Sequence, residues 1–530
     1  YTTDVTVNVT NGSDATSGHN STTSNVTSIT TNTTGRVVTI TTTDNAGNSS
    51  TKTYTIKVDK NAPTITAKSS SFEIEPGTNN TTSTYFNYSY SISGGSISCN
   101  PSSTGSLSAG TYTITCTATG GNKKTATATT ELILKTKNQE PNAPELFNNM
   151  VPIKYENNKW VVADTSQKWY DYDAKEWANA VILLPDYANK SVGDEITEDE
   201  VAQWYAWIPR YKYTIFNGNN GSAEEQLIDV TFETGTYGTG TVRCVDNDDG
   251  SETCTDNAYG SVTNGKSTYT HPAFCFGTKN SDGSCNGTEL TGFWVGKFEV
   301  STQDGWNDFI FIKPNVSSLR GKTVSQFFES IQYTGLQMMI VDADPHMIKN
   351  MEWGAVAYLK QSKYGLGTTD IAVNTNSSYY TGGGTDNAYK TNVAQSTTGN
   401  IYGVYDMSGG ALEYVMGNMK DESNLFNSSS AGFTTAPDAK YYDSYKYDTS
   451  YTSHARGKLG DATKETLAIF GNTRGGWYSD YAYFPRSSSR WFGRGGYHDD
   501  GTNAGVFYFN RVSGDDDDDD VSARAVLSAQ

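Results

Sequence analysis

The side chains of this chain best suited to chemistry are six cysteines, a run of six aspartates and a few histidines and glutamates. The cysteines fall as three local pairs: Cys99 with Cys116, Cys244 with Cys254, and Cys275 with Cys285. An even number at close spacing, in intervals rich in Gly, Asp and Asn, predicts three disulfides and an oxidising compartment. A zinc site is not expected, because no C-x-x-C occurs and His271 has no second histidine at ligand spacing. Asp515 to Asp520 set carboxylates side by side, which a hard cation such as calcium could use. Adjacent like charges repel and consecutive extended residues alternate faces, so a solvated, mobile loop is the expectation. Glu413 reads as a structural carboxylate for nearby backbone or for the guanidinium fork of Arg494. His454 and His498 could join a serine in catalysis, but no nucleophile-elbow or H-E-x-x-H pattern supports that. No catalytic residue, metal ligand or cofactor is therefore assigned, and the chain is expected not to be an enzyme.

The elements that must position a site are clearest between Arg490 and Gln530. An apolar frame recurs there: Trp491, Phe492, Val506, Phe507, Phe509, Val521, Val526 and Leu527. Polar residues separate its members in an order that packing does not dictate. The pattern predicts a strand–loop–strand–loop–strand platform that displays a surface. In a strand from Val506 to Asn510, Phe507 and Phe509 share one face and Tyr508 and Asn510 the other. With the phenylalanines in the core, the expected ligand-binding residues are Tyr497, His498, Asp499, Asp500, Tyr508, Asn510, Arg511, Val512 and Ser513. Asp515, Asp516, Asp517, Asp518, Asp519 and Asp520 join them, with Arg490 and Gly493 at the margin. Aromatic area combined with adaptable hydrogen bonding is the chemistry of a binding surface, and the acidic run favours basic or polar epitopes. Replacing Tyr508 and Arg511 with Ala is expected to weaken binding and to leave the melting temperature nearly unchanged. Trp477, Tyr478, Tyr481 and Tyr483, beside the Gly475-Gly476 loop, read as core aromatics or as a rim of the site, with the structural role preferred.

A chain of 530 residues exceeds what one core supports, so several domains are expected. The net charge of −19 argues against a nucleic-acid partner, because a phosphate backbone would be repelled. No run of 18 apolar residues occurs, so no direct membrane insertion is expected. The start at Tyr1 leaves room for a removed signal or anchor segment. Residues 1–61 alternate β-branched runs with turn clusters, as in a small β-sandwich. Within Thr51 to Val58, Tyr54, Ile56 and Val58 should share one buried face. A second β-module spans 62–134, and 135–150 is a polar, proline-bearing linker. Residues 151–530 read as one large domain. It has strands at Trp160–Ala163, Glu176–Leu184 and Phe293–Ser301, and one from Trp204 that is stopped at Pro209 and restarted. The region 244–285 reads as loops pinned by two disulfides. Helices are expected over 324–332 and 346–360, the latter with one buried stripe of Ile348, Met351, Ala355 and Leu359.

Several motifs resemble known families. The block from Asp44-Asn45-Ala46-Gly47-Asn48 through Asp59-Lys60-Asn61-Ala62-Pro63 resembles bacterial immunoglobulin-like surface repeats. The stretch carrying Cys99 and Gly110–Thr119 is similar to the hyalin-repeat branch of that class, which implies that Cys99–Cys116 staples neighbouring strands. Phe293–Ser301, Met351–Tyr358, Gly399–Tyr414 and Arg494-Gly495-Gly496, in that order, resemble the formylglycine-generating-enzyme type of C-type lectin fold. Enzymes of that family need late cysteines, and no cysteine follows Cys285. The C-terminal pattern is similar to another branch, the variable proteins of diversity-generating retroelements, whose final repeat is rewritten at template adenines. Asn codons changed only at adenines cannot reach Lys, Glu, Gln, Met or Trp. None of those types occurs from Phe492 to Leu527.

The resemblance implies N-terminal all-β immunoglobulin-like sandwiches followed by an α+β C-type lectin fold, with a variable region at 490–527. It implies an adhesin or receptor-binding protein of a cell or virion surface, with a protein or glycan ligand. The alternatives are a calcium-dependent carbohydrate-binding lectin and a formylglycine-generating-type oxidase.

Overall fold

A computed structural model describes the chain except residues 75–78, 92–93, 108–109, 135–138, 217–223, 256–266, 304–308 and 428–431. Part of the expected linker (135–138) and part of the disulfide-pinned region (256–266) lie outside the described residues. The protein is built mostly of β-sheets, with two α-helices among the described residues. It divides into two compact units, Tyr1–Asn138 and Gln139–Gln530.

The first unit holds two separate cores. One gathers Val26, Ile29, Val38 and Val58 against a three-stranded sheet, His19–Ser24, Thr33–Asp44 and Ser49–Val58. Its hairpin closes through Asp44, whose side chain accepts from Asn48 N at 2.8 Å while Gly47 takes φ +88°. That φ is readily available only to glycine. The shared face of Tyr54, Ile56 and Val58 is buried only at one end: Val58 is fully buried and Tyr54 is 44% exposed. The other core packs Ile65, Phe86, Ile114, Cys116 and Leu132 on a four-stranded sheet. There Cys99 and Cys116 stand opposite in register and are disulfide-bonded.

The second unit contains one continuous core under an eight-stranded and a five-stranded sheet. Six strands build and anchor its C-terminal platform: β1 (Gly292–Gly296), β2 (Leu412–Met419), β3 (Trp491–Gly495), β4 (Gly505–Val512), β5 (Val521–Ala523) and β6 (Ala525–Ala529). In the eight-stranded sheet, β6 lies between β1 and Ala343–Met347. In the other sheet, β2 pairs with β3 and β5, and β3 pairs with β4. The strand Val201–Pro209 stops at its proline and resumes as Tyr211–Thr214. The disulfides Cys244–Cys254 and Cys275–Cys285 each close a hairpin of this unit. Three disulfides indicate an oxidising environment. No helix among the described residues is long and apolar enough to cross a membrane.

Three expectations need correction. Residues 139–149, expected to be linker, are bound to the large unit. Asn142 Nδ2 donates to the Gly235 and Thr291 carbonyls at 2.8 and 2.9 Å, and Trp294 Nε1 donates to Glu145 O at 2.6 Å. Helix α1 runs Val324–Gln337, longer than expected. Helix α2 runs Asn350–Lys360, because His346 and Met347 are drawn into a strand paired with β6. Glu352 caps α2 by accepting from Lys349 N at 2.8 Å. All eleven residues of α2 are buried, so it carries no single stripe. A Cβ on its Gly354 would collide with Gly460 O, so this contact requires glycine.

Candidate functional site

The platform at the end of the sequence is held by one buried cation. The Arg524 guanidinium, between β5 and β6, grips Glu413 of β2 with Nε–Oε2 at 2.9 Å and Nη2–Oε1 at 2.5 Å. It also donates to Gly296 O at 2.7 Å and Tyr405 O at 3.0 Å, so it ties both sheets together. The expected partner, Arg494, is elsewhere: it donates to Ala462 O at 3.1 Å and stacks near Trp353. Sequence spacing could not choose between Arg494, inside β3, and Arg524, between β5 and β6. Burial pushes the carboxyls of Glu413, Asp406 and Glu299 upward, to about 7 and about 6 for the first two. Arg524 opposes this at all three. Glu299 accepts from Ala411 N at 3.0 Å, and Asp406 from Gly382 N at 2.8 Å.

On this frame β3 and β4 are not half-exposed. Tyr508 is 1% exposed, and Val512 and Gly493 are buried too, so these three expected ligand residues belong to the core. The reason is that β4 is covered on both faces. Phe507 packs edge-on against Trp477 at 5.3 Å, while Tyr508 meets Tyr481 at 5.8 Å. The segment from Tyr481 to Tyr483 runs beside β4, with Tyr483 N donating to Phe509 O at 2.8 Å. Four consecutive large apolar residues, Val506 to Phe509, are the signature of a strand buried on both sides.

The exposed side chains sit in the two loops and at the end of β4. Asp499 and Asp515 to Asp519 are exposed. Arg490, Tyr497, His498, Asp500, Asn510, Arg511, Ser513 and Asp520 are half-buried. The first loop leaves β3 through Gly495 and Gly496 at φ +86° and +82° and is fastened by His498 N to Gly410 O at 2.9 Å. The second loop was expected to be mobile, yet its backbone is fastened throughout. The single Tyr414 hydroxyl hydrogen is shared between Ser513 O at 2.5 Å and Asp516 O at 3.1 Å. Leu412 N and Gly321 N donate to the carbonyls of Asp520 and Asp518 at 3.0 and 3.1 Å, and the Arg320 guanidinium reaches Asp519 O. The side chains of Asp515 to Asp519 are exposed while the main chain of the run is held.

These loops come together around Tyr379 and Tyr497. The Tyr379 ring meets His498 edge-on at 4.8 Å and lies under Arg320 at 4.0 Å. Burial, reinforced by neighbouring aspartates, holds the Asp500, Asp516 and Asp520 carboxyls above their ordinary range. Burial, with Asp520 next in weight, raises both tyrosines. Beyond the end of β4 the character changes. Arg511, Tyr481, Tyr483 and Tyr451 form a basic aromatic margin. Tyr481 and Tyr483, expected to be structural, are half-buried at the surface, whereas Trp477 is core. The sequence signal was present as alternation: Ala482 and Phe484 are fully buried between and beside the tyrosines. Tyr379 and Arg320 had no such signal, because they arrive from distant loops.

The arrangement bears on the other chemistries. His454 is buried, its pKa lowered by burial to about 4. Backbone occupies both its nitrogens, Ala482 O at 2.8 Å from Nε2 and Gly471 N at 3.3 Å from Nδ1. It has no nitrogen left for a serine nucleophile. Among the described residues the one group of three potential ligand side chains within 4.8 Å is Cys244, Glu252 and Cys254, whose sulfurs form a disulfide. The carboxylates of Asp515 to Asp520 therefore do not converge on one point. No family model and no curated protein matches this chain.

Proposed function

We propose that the second unit is a ligand-binding head of the C-type lectin class, displayed at a cell or virion surface by immunoglobulin-like modules. The observation that carries this reading is the division of labour at 490–527. Buried strands and backbone hydrogen bonds fix the loops, while Asp499 and Asp515 to Asp519 face solvent and the rest of the set is half-buried at the loop margins. Such side chains can be exchanged at little cost in stability. The surface set is Arg490, Tyr497, His498, Asp499, Asp500, Asn510, Arg511, Ser513 and Asp515 to Asp520. Its mechanism is binding without bond chemistry, and rewriting by a retroelement is the source of its variety. The ligand is a protein or glycan of another surface.

The test is a library with Tyr497, His498, Asp499, Asn510 and Arg511 randomised, selected on glycan and cell-surface panels with and without chelator. Altered ligand choice at unchanged melting temperature supports the reading. Members that unfold as often as variants of Phe507 would overturn it, and binding lost in chelator would reassign the head to calcium-dependent recognition. Sequencing the coding locus supplies the second arm, in which a reverse-transcriptase gene and an adenine-differing near-copy of the 490–527 segment are expected.

A further inference from the structure

We infer that the arginine–tyrosine margin of the head binds an acidic segment of a partner protein. Tyr451, Tyr483 and Tyr481 form a row, with successive ring centroids 5.3 and 5.6 Å apart. Arg486 lies over Tyr451 at 5.4 Å and Arg474 over Tyr481 at 5.4 Å. Arg511 closes the row from the end of β4. Each guanidinium donates to a hydroxyl: Arg474 to Tyr481 at 3.3 Å, Arg486 to Ser488 at 3.2 Å and Arg511 to Ser489 at 3.1 Å.

Among the described residues, no carboxylate lies within 4.0 Å of any of these three cations, whereas Arg210 and Arg524 of the head are ion-paired. Arg511 lies close enough to Arg486 for the like charge to act on it, and its Nε is buried with no partner among the described residues. Partial burial, then Arg486, lowers the Arg511 pKa. A bound carboxylate would relieve both the repulsion and the orphaned donor. Guanidinium forks match carboxylates two bonds at a time. Tyrosine and arginine together are the residue types that dominate the energy of protein interfaces, and arginine clusters are the usual readers of acidic motifs. The rings are also preset, since Tyr481 and Tyr483 are projected by a segment hydrogen-bonded to β4. Little ordering would remain to be done on binding.

This inference rests on the reading of the head as a binding surface and names a partner class for one margin of it. The test uses the full chain and a short labelled polyglutamate peptide, followed by fluorescence anisotropy at low salt. The comparison is the triple variant Arg474→Gln, Arg486→Gln, Arg511→Gln. Expected is binding that weakens about tenfold or more in the variant, as losing one or two interface anchors implies. It should also weaken as salt is added and be absent for a Gln-for-Glu peptide. Arg474→Glu, at an exposed position, provides a second variant that leaves the fold alone and should weaken binding in the same direction. Equal binding by wild type and variants, or none by wild type, overturns the inference. So does preference for polygalacturonate, which would make the partner an acidic glycan. Self-association that displaces the peptide would instead make the aspartate loop of a second copy the occupant, and also overturns it. A His498→Ala, Asp499→Asn variant should bind polyglutamate normally, so failure of the broader display surface is distinguishable from failure of this margin.

Discussion

Replacing Arg524 with Ala removes the one cation that satisfies Glu413 of the five-stranded sheet and bonds the Gly296 carbonyl of the eight-stranded sheet. A buried pair broken on one side costs about 3–5 kcal/mol, because the remaining charge keeps its burial and loses its partner. Unfolding entropy is about 2.1 cal/mol/K per residue near the melting point. Over a unit of about 390 residues that gives about 0.8 kcal/mol/K, so the head should melt about 4–6 °C lower. Differential scanning calorimetry of Arg524→Ala, Glu413→Gln and the double variant measures this and the coupling between the two positions. The double variant should recover at least about 1 kcal/mol of the summed single losses, as contacting residues do. A shift under about 1 °C for Arg524→Ala, or strictly additive losses, would refute the view that this pair joins the sheets.

Other perturbations separate core from display. Tyr508→Ala should cost about 3–5 kcal/mol, as for other large buried aromatics, whereas Arg511→Ala should cost under about 1 kcal/mol; chemical denaturation compares them. Changing Asp515, Asp516 and Asp517 together to Ser should raise the melting point by about 1 °C at low salt, with the gain vanishing near 0.5 M salt as the repulsion is screened. Glu299 and Asp406 are pushed up by burial, so they hold protons in the fold that the unfolded chain has released. The stability they contribute is complete below the ordinary carboxylate range and is lost as pH rises through their folded values. Glu299→Gln should therefore flatten the decline of melting temperature as pH rises above the ordinary carboxylate range, and an unchanged slope would count against the protonated cluster.

What could be read beforehand followed from local rules. Cysteine pairs ten residues apart inside hairpins, a proline that breaks Val201–Pro209 from its continuation, and the apolar spacing of α1 each announce themselves within a few residues. What could not be read depended on a second layer arriving from far away. Period two assigned Tyr508 outward because nothing in β4 records that the segment around Tyr481 covers it. Glu413 signalled a need for an arginine but not which one, since Arg524 reaches it across 111 residues. The sequence shows the charge of the aspartate run, while its fastening depends on Tyr414 and on the neighbours Arg320 and Gly321, from two other places in the chain.

The placement of β6 carries a consequence for errors in the coding segment. The displayed loops precede β5, Arg524 and β6, and β6 is an interior strand of the eight-stranded sheet. A stop codon or a shifted reading frame anywhere between Arg490 and Asp520 therefore deletes or scrambles that strand and leaves Glu413 buried without its cation. An exchange of one exposed loop residue spares that strand and that ion pair. Chains truncated or frame-shifted there would be left unfolded and open to proteolysis.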